Sequence, residues 1–513
     1  MGTASNTSRI AKNTLLLYFR QILIMLVSLY TVRVVLNVLG AEDYGIYNVV
    51  AGVVTMFGFL SGAMATASQR YFAFDLGKED YEHLKTTFSV TFQIYVLLAA
   101  IIVVLAETIG LWFVMNKLVI PLERMTAAIW IYQAAVFSFL LTLITTPYMA
   151  SIIAHENMNI YAYVSIVEAV LKLAIVFLLQ VLDYDKLILY ALLLTSVSFI
   201  NTGIYRIYCK KHYIECKFKY VKSKALFKEI VSYSGWNLFG ALSGILKRQG
   251  INIILNLYFG ALVNAAYSIA LQVSSSTTTF SQNFVTAMRS PIIKAYAAGH
   301  YTETKRMVFS GCKFVFFLVL LFALPLILEM DIILNLWLKN EVSEIMITMT
   351  RLMVIEVLIL SMSYLIMALA QATGKIKTYQ SVVGGILLLN LPISWIILEC
   401  GFPSYSVVIV AVIIDLISML ARVSIVGKLT FFNVREFFFK VALPCILVTL
   451  ISLVIPLFLH LNENIGLLRL SEVTITSIIF IVLSAIIIGA TKSERKILFD
   501  KTRILVDKFK IKK

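Results

Sequence analysis

Apolar runs of 20 or more residues recur along the whole chain, separated by short polar connections. Each is long enough to cross about 30 Å of hydrocarbon as a helix. About fourteen are discernible, near 11–38, 45–71, 87–114, 122–153, 160–182, 187–208, 230–257, 264–291, 308–330, 345–371, 376–399, 404–427, 437–460 and 467–490. The runs are continuous rather than alternating, which excludes a membrane β-barrel. The expected fold is an all-α integral membrane protein: two pseudo-symmetric six-helix bundles plus two additional C-terminal helices.

Polar positions give the reason for pairing the bundles. Asn48, Thr55, Gly62, Thr66 and Gln69 share one helical face. Adding 220 gives Ser268, Ser275, Gln282, Thr286 and Arg289, again on one face, and Gly40 and Tyr47 map onto Gly260 and Tyr267. A second match, PYMASIIAHENMNIYAYVS at 147–165 with SYLIMALAQATGKIKTYQS at 363–381, has an offset of 216. One polar stripe is explained by helix packing. Two in register predict a duplicated bundle around an aqueous cavity, the layout of a transporter.

The expected organisation is a first bundle over 1–209, a basic linker over 210–229, a second bundle over 230–430, two extra helices over 431–490 and a basic tail over 491–513. Residues 210–228 hold seven lysines and one glutamate; a solvated linker or a lipid-surface contact accounts for them. In the tail, Leu498, Leu505 and Phe509 share a face that suits an interfacial helix.

Composition removes other classes. The chain has 513 residues, 60% of them hydrophobic, and a mean hydropathy of +0.90. No water-soluble domain has that balance. The net charge of +16 is a topology signal rather than a nucleic-acid footprint. Most Lys and Arg fall in the tails and the even-numbered loops; Arg33, Lys117, Arg124, Lys186, Lys339 and Arg469 fall on the other side. Both termini are therefore expected to be cytoplasmic, with membrane lipids and no nucleic acid as partners. The five cysteines and five histidines show no metal spacing, and there is no P-loop and no cleavable signal peptide. No cofactor, metal or catalytic residue is expected.

Charged residues within spanning helices mark function. Arg20, Lys247, Arg248, Arg289 and Arg70 come from the first helix pair of each half. As unpaired cations in a shared cavity they imply an anionic substrate; arginine suits phosphate because its planar fork donates two hydrogen bonds. Asn13 and Thr31 share the face of Arg20. Glu356, Asp415 and Glu107 are the candidates for proton or sodium coupling. Glu168 and Lys172, four residues apart, are expected to neutralise each other, whereas Asp415 and Arg422 are too far apart along one helix to touch directly. Pro325, Pro392, Pro444 and Pro456 interrupt apolar runs, and Gly235, Gly240, Gly244 and Gly250 favour either bending or close packing. Tyr44, Tyr267 and Trp236 suit interfacial anchoring or stacking on sugars.

The stretch LNVLGAEDYGIYNVVAGVVTMFGFLSGAMATASQRYF at 36–72 resembles polysaccharide flippases of the multidrug/oligosaccharidyl-lipid/polysaccharide (MOP) superfamily. The resemblance implies a V-shaped pair of six-helix bundles in the bacterial cytoplasmic (inner) membrane, acting as a monomer. It implies as substrate an oligosaccharide linked to undecaprenyl diphosphate, flipped for surface polysaccharide synthesis with a glycan polymerase as partner. Relatives that flip the peptidoglycan precursor carry arginines on the first and eighth helices, where Arg20 and Arg289 stand here. Drug-extruding relatives often carry an acid on the first helix, and 11–38 contains none. A cation-coupled drug antiporter is the alternative; a membrane glycan polymerase would need a larger outer loop than this chain has.

Overall fold

A computed structural model describes residues 3–118, 120–181, 184–338, 342–491 and 494–495. The tail positions Leu498, Leu505 and Phe509 lie outside them. Among the described residues there is no strand. In lipid every backbone N–H and C=O must be satisfied within its own segment, so continuous apolar runs become helices.

The helices are α1 (Thr3–Thr55), α2 (Gly58–Gly77), α3 (Tyr81–Leu105), α4 (Leu111–Asn116), α5 (Met125–Ala154), α6 (Met158–Val181), α7 (Lys186–His212) and α8 (Lys224–Ala297). They continue as α9 (Tyr301–Leu328), α10 (Met330–Leu338), α11 (Glu344–Ser361), α12 (Tyr364–Thr373), α13 (Ile376–Leu388), α14 (Asn390–Glu399), α15 (Ser406–Leu429), α16 (Val434–Phe437), α17 (Leu443–Asn462) and α18 (Leu467–Ser484). Ten of the described helical segments are long and apolar enough to cross a membrane, or up to twelve when two bent pairs each count as one span. The count of fourteen is not confirmed. The segments at 230–257 and 264–291 both belong to α8 and are not among the ten; their many Ser, Thr, Asn and Gln side chains lower the hydropathy.

Two matched breaks shape the long helices. Gly40 interrupts α1 at φ 81° and Gly260 interrupts α8 at φ 72°. A positive-φ backbone costs a glycine little because it has no Cβ, so the same residue serves at the same 220-residue offset. The glycines at 235, 240, 244 and 250 do not bend α8. A Cβ at Gly250 would meet the Leu391 side chain, which fits close packing there, whereas one at Gly235 or Gly244 would meet nothing within 4 Å.

The chain divides into two compact units. One comprises Ile10–Ala241 and Ile293–Gly299. Its core includes an aromatic cluster in which Phe88 lies 5.8 Å from Phe72 and 5.4 Å from Tyr148. The end of α2 closes on the last turn of α8: a Cβ on Gly77 would stand 2.6 Å from the Lys294 carbonyl. Tyr132 donates at 2.7 Å to the Ala106 carbonyl, at the start of a π-turn over Ala106–Gly110.

The other unit comprises Leu242–Ile292 and the described residues from His300 onward, with the N-terminal stretch to Arg9. Here α17 and α18 pack on each other and on α9. Ser452 and Ser484 hydrogen-bond at 2.7 Å between them. At one end of α9 the fully buried Glu329 accepts from Arg469 Nε at 3.0 Å and pairs with His460 at 2.8 Å. Toward the other, Lys313 donates to the Gly489 carbonyl at 2.8 Å and to Glu494 at 2.9 Å. The two last helices are therefore bound to their unit by buried polar contacts as well as apolar area.

Candidate functional site

The densest buried charge in the second unit is built from three helices. Lys247 on α8 places its Nζ 2.8 Å from Glu356 Oε1 on α11 and 2.7 Å from Asp415 Oδ2 on α15. Lys247 is 5% exposed and Asp415 1%. One ammonium facing two carboxylates leaves a formal net charge of −1, and the pairing is strong because water is largely excluded. This corrects the expectation that Lys247 is an unpaired cation. Nothing local in the sequence revealed it: the partners are 109 and 168 residues away.

Lys247 and Glu356 line a pocket together with Arg248, Tyr267, Ser274 and Met353. Arg248 is exposed and makes no ion pair among the described residues. Tyr267 is 1% exposed and donates to the Arg248 carbonyl at 3.4 Å. A buried ring cannot stack on a sugar, so Tyr267 leaves the set of stacking candidates. Arg422, on the helix of Asp415, reaches Ser363 at 3.4 Å instead. Arg351 turns to the Leu328 carbonyl at 3.1 Å and to Asp331 at 3.8 Å rather than to Glu356.

In the first unit, Arg20 lies with its guanidinium carbon 4.6 Å from the Tyr161 ring centroid. Its Nε is buried and has no hydrogen-bond partner among the described residues. An aromatic face steadies a guanidinium without using its donors. Asn13, on the same face, donates to the Glu156 carbonyl at 3.0 Å, and the Glu156 carboxylate pairs with Lys294 at 3.0 Å. Thr31 has a buried hydroxyl without a partner. Arg70 is buried and lies 4.6 Å from the centroids of both Tyr71 and Phe74. Glu107, on the π-turn, is exposed and accepts from Gln133 at 3.0 Å.

The polar stripes behave alike in both units. Asn48 donates to the Tyr44 carbonyl, Thr55 to Gly52 and Thr66 to Gly62; Ser268 donates to Asn264, Ser275 to Gln272 and Thr286 to Gln282. These bonds back to the preceding turn let a hydroxyl sit in an apolar helix without a tertiary partner. Asn48, Thr55, Ser268, Ser275 and Gln282 are exposed, Thr66 and Thr286 half-buried, and Gln69 buried. Arg289 ends the second stripe, half-buried. The expected Glu168–Lys172 pair is present at 2.7 Å, with Asn201 also donating to Glu168 at 3.1 Å.

Among the described residues no group of three His, Cys, Asp or Glu side chains is placed to hold a metal ion.

Helices long and apolar enough to cross a membrane, broken at matched glycines and carrying polar stripes and buried charge, define a multi-pass membrane protein. A family model described as "Polysaccharide biosynthesis protein" matches residues 10–293, and a second, MatE, matches residues 248–396. The chain belongs to the polysaccharide biosynthesis protein family. Its fold is similar to an outward-facing multidrug resistance MATE family transporter of the MOP superfamily (TM-score 0.70, 14% identity, covering 83% of this chain and 96% of that one). It is also similar to a MOP superfamily transporter from Pyrococcus furiosus described as having a binding pocket of reversed polarity (TM-score 0.68, 13% identity, 82% and 95% covered). A third likeness is a Vibrio cholerae MATE transporter in its bent form (TM-score 0.66, 16% identity, 85% and 100% covered). No curated protein sequence matches the chain.

Proposed function

We propose that this transporter flips a polyprenyl-diphosphate-linked oligosaccharide from the cytoplasmic to the outer leaflet by alternating access. The carrying observation is the polysaccharide biosynthesis match over residues 10–293. The charge chemistry supports it. Arg20 has an unpartnered buried donor, and Arg248 is exposed on the pocket beside a lysine already neutralised by carboxylates. Phosphate suits such planar donors; Arg20 in the first unit, and Arg248 and Arg289 in the second, are each candidates for such a contact.

In this reading the chain lies in a bacterial cytoplasmic membrane with both termini cytoplasmic. The halves run over 1–209 and 230–430, joined by 210–229 and followed by the additional helices at 431–490. It acts as a monomer, without catalysis of its own, and hands its product to a glycan polymerase.

The MatE match over 248–396 favours a second reading, a cation-coupled drug antiporter. The test compares the two in a strain lacking the gene. A flippase deletion loses surface polysaccharide and accumulates the lipid-linked precursor, and Arg20→Ala fails to restore export although its protein reaches the membrane. Unchanged surface glycan with increased drug susceptibility would replace the flippase reading with the antiporter.

A further inference from the structure

The lysine-rich segment between α7 and α8 is not a free loop. It is fastened residue by residue across one end of the first unit. Tyr213 is buried, stacks on His155 with centroids 4.1 Å apart, and accepts from Asn157 at 2.6 Å. Glu215 is 2% exposed and bonds His155 Nε2 at 2.7 Å. Cys216 is fully buried. The Phe218 ring lies 5.3 Å from Phe92, the Lys219 amide donates to Ser89 at 3.3 Å, and Gln93 donates to the Val221 carbonyl at 3.2 Å. Contacts at 213, 215, 216, 218, 219 and 221 leave little slack: the segment is a strap.

This fastening changes the charge that the surface presents. The sequence offers seven lysines against one glutamate over 210–228. The structure buries that glutamate under His155. All seven lysines, 210, 211, 217, 219, 222, 224 and 228, remain exposed, and none makes an ion pair with a described residue. Between them Ile214, Phe218 and Tyr220 are 54%, 45% and 72% exposed. Exposed aromatic and aliphatic side chains set among fixed cations match a membrane–water boundary, where rings sit at headgroup level and lysines meet anionic phosphates. Lysine is depleted at protein–protein interfaces, so seven exposed lysines around these apolar tips favour a lipid surface over a protein partner.

We propose that residues 210–228 form a preorganised strap that binds the anionic phosphodiester headgroups of the surrounding cytoplasmic leaflet. The strap holds the inner ends of α3 and α5 against the membrane surface. It rests on the proposed orientation, not on the proposed substrate.

The test uses the full chain in lipid nanodiscs with an environment-sensitive dye on Tyr220→Cys, in a Cys400→Ser background because Cys400 is the exposed native thiol among the described residues. Replacing pure phosphatidylcholine by a mixture with about a third phosphatidylglycerol should shift the emission to the blue. About 1 M salt, where charges are screened beyond about 3 Å, should reverse the shift. Lys217→Gln, Lys219→Gln and Lys222→Gln together should abolish it, with four lysines left to preserve topology. The corresponding Arg variant should keep it; loss there would show that lysine packing rather than charge governs the surface, and would overturn the proposal.

Identical emission in both lipids, or a shift that salt does not touch, would also overturn it. So would a shift produced by polyprenyl diphosphate in neutral discs but not by phosphatidylglycerol, because the strap would then read the transported lipid. A membrane-impermeant maleimide that labels Tyr220→Cys in intact cells would remove the orientation while the nanodisc shift stood, separating the two failures.

Discussion

Lys247 on α8 and Asp415 on α15 meet at 2.7 Å, both at most 5% exposed, with Glu356 completing the group. Removing the lysine strands two carboxylates in a site with little water. Breaking a buried pair by deleting one partner typically costs about 3–5 kcal/mol, whereas replacing all members can be near neutral. Lys247→Met is therefore expected to lower detergent-extracted folded protein sharply. Adding Glu356→Gln and Asp415→Asn to it should restore the yield, as read by size-exclusion chromatography. Normal yield for Lys247→Met alone would mean that the carboxylates are better hydrated than the geometry indicates.

Glu329 and Arg469 bind α18 to the end of α9. Arg469→Leu leaves a fully buried carboxylate with His460 as its remaining close partner. The turn at 463–466, between α17 and α18, should become sensitive to limited proteolysis. Glu329→Gln in the same chain should return protection. Equal cleavage of wild type and Arg469→Leu would argue that apolar packing alone retains these helices.

The two glycine breaks should respond alike. Gly40→Ala and Gly260→Ala each force a Cβ into a positive-φ, extended conformation that is essentially restricted to glycine, at roughly 1–3 kcal/mol per residue. Nothing lies within 4 Å of either added Cβ, so the effect is conformational rather than steric. Thermal melting should fall for each variant by a similar amount. A large fall at one and none at the other would break the equivalence of the matched positions.

Glu168 and Lys172 are not an equal pair. Their side chains are 33% and 46% exposed, and Asn201 supports the glutamate. Lys172→Met leaves a carboxylate with a single amide donor, whereas Glu168→Gln leaves a long lysine free to reach an interface. Lys172→Met should reduce membrane-inserted protein more than Glu168→Gln, and the double variant should recover it, by quantitative blotting. The reverse order would place Lys172 in a role other than neutralisation.

The helical membrane class, the paired stripes and the matched glycines were legible because each depends on local properties. Run length against hydrocarbon thickness, side-chain period along one helix and the tolerance of glycine for positive φ are all written in neighbouring residues. The same locality explains why the Glu168–Lys172 pair could be read. It also explains the limits of the span count: α8 carries both polar stripe and intramembrane charge, so its two expected spans are long enough yet too polar to qualify by hydropathy.

What only the tertiary structure decided is which charges are already satisfied. Lys247 and Arg248 are adjacent in sequence, yet one is enclosed by two carboxylates from distant helices and the other is exposed. Glu215 and the lysines beside it share one segment, yet His155 withdraws the acid from the surface and leaves the bases. Tyr267 reads as a rim aromatic and is buried. Hydropathy and period depend on a residue and its neighbours in the chain, whereas pairing and burial depend on partners that folding brings from about a hundred residues away. The sequence therefore determined the kind of membrane protein, and tertiary packing determined which of its cations are enclosed by carboxylates and which are exposed.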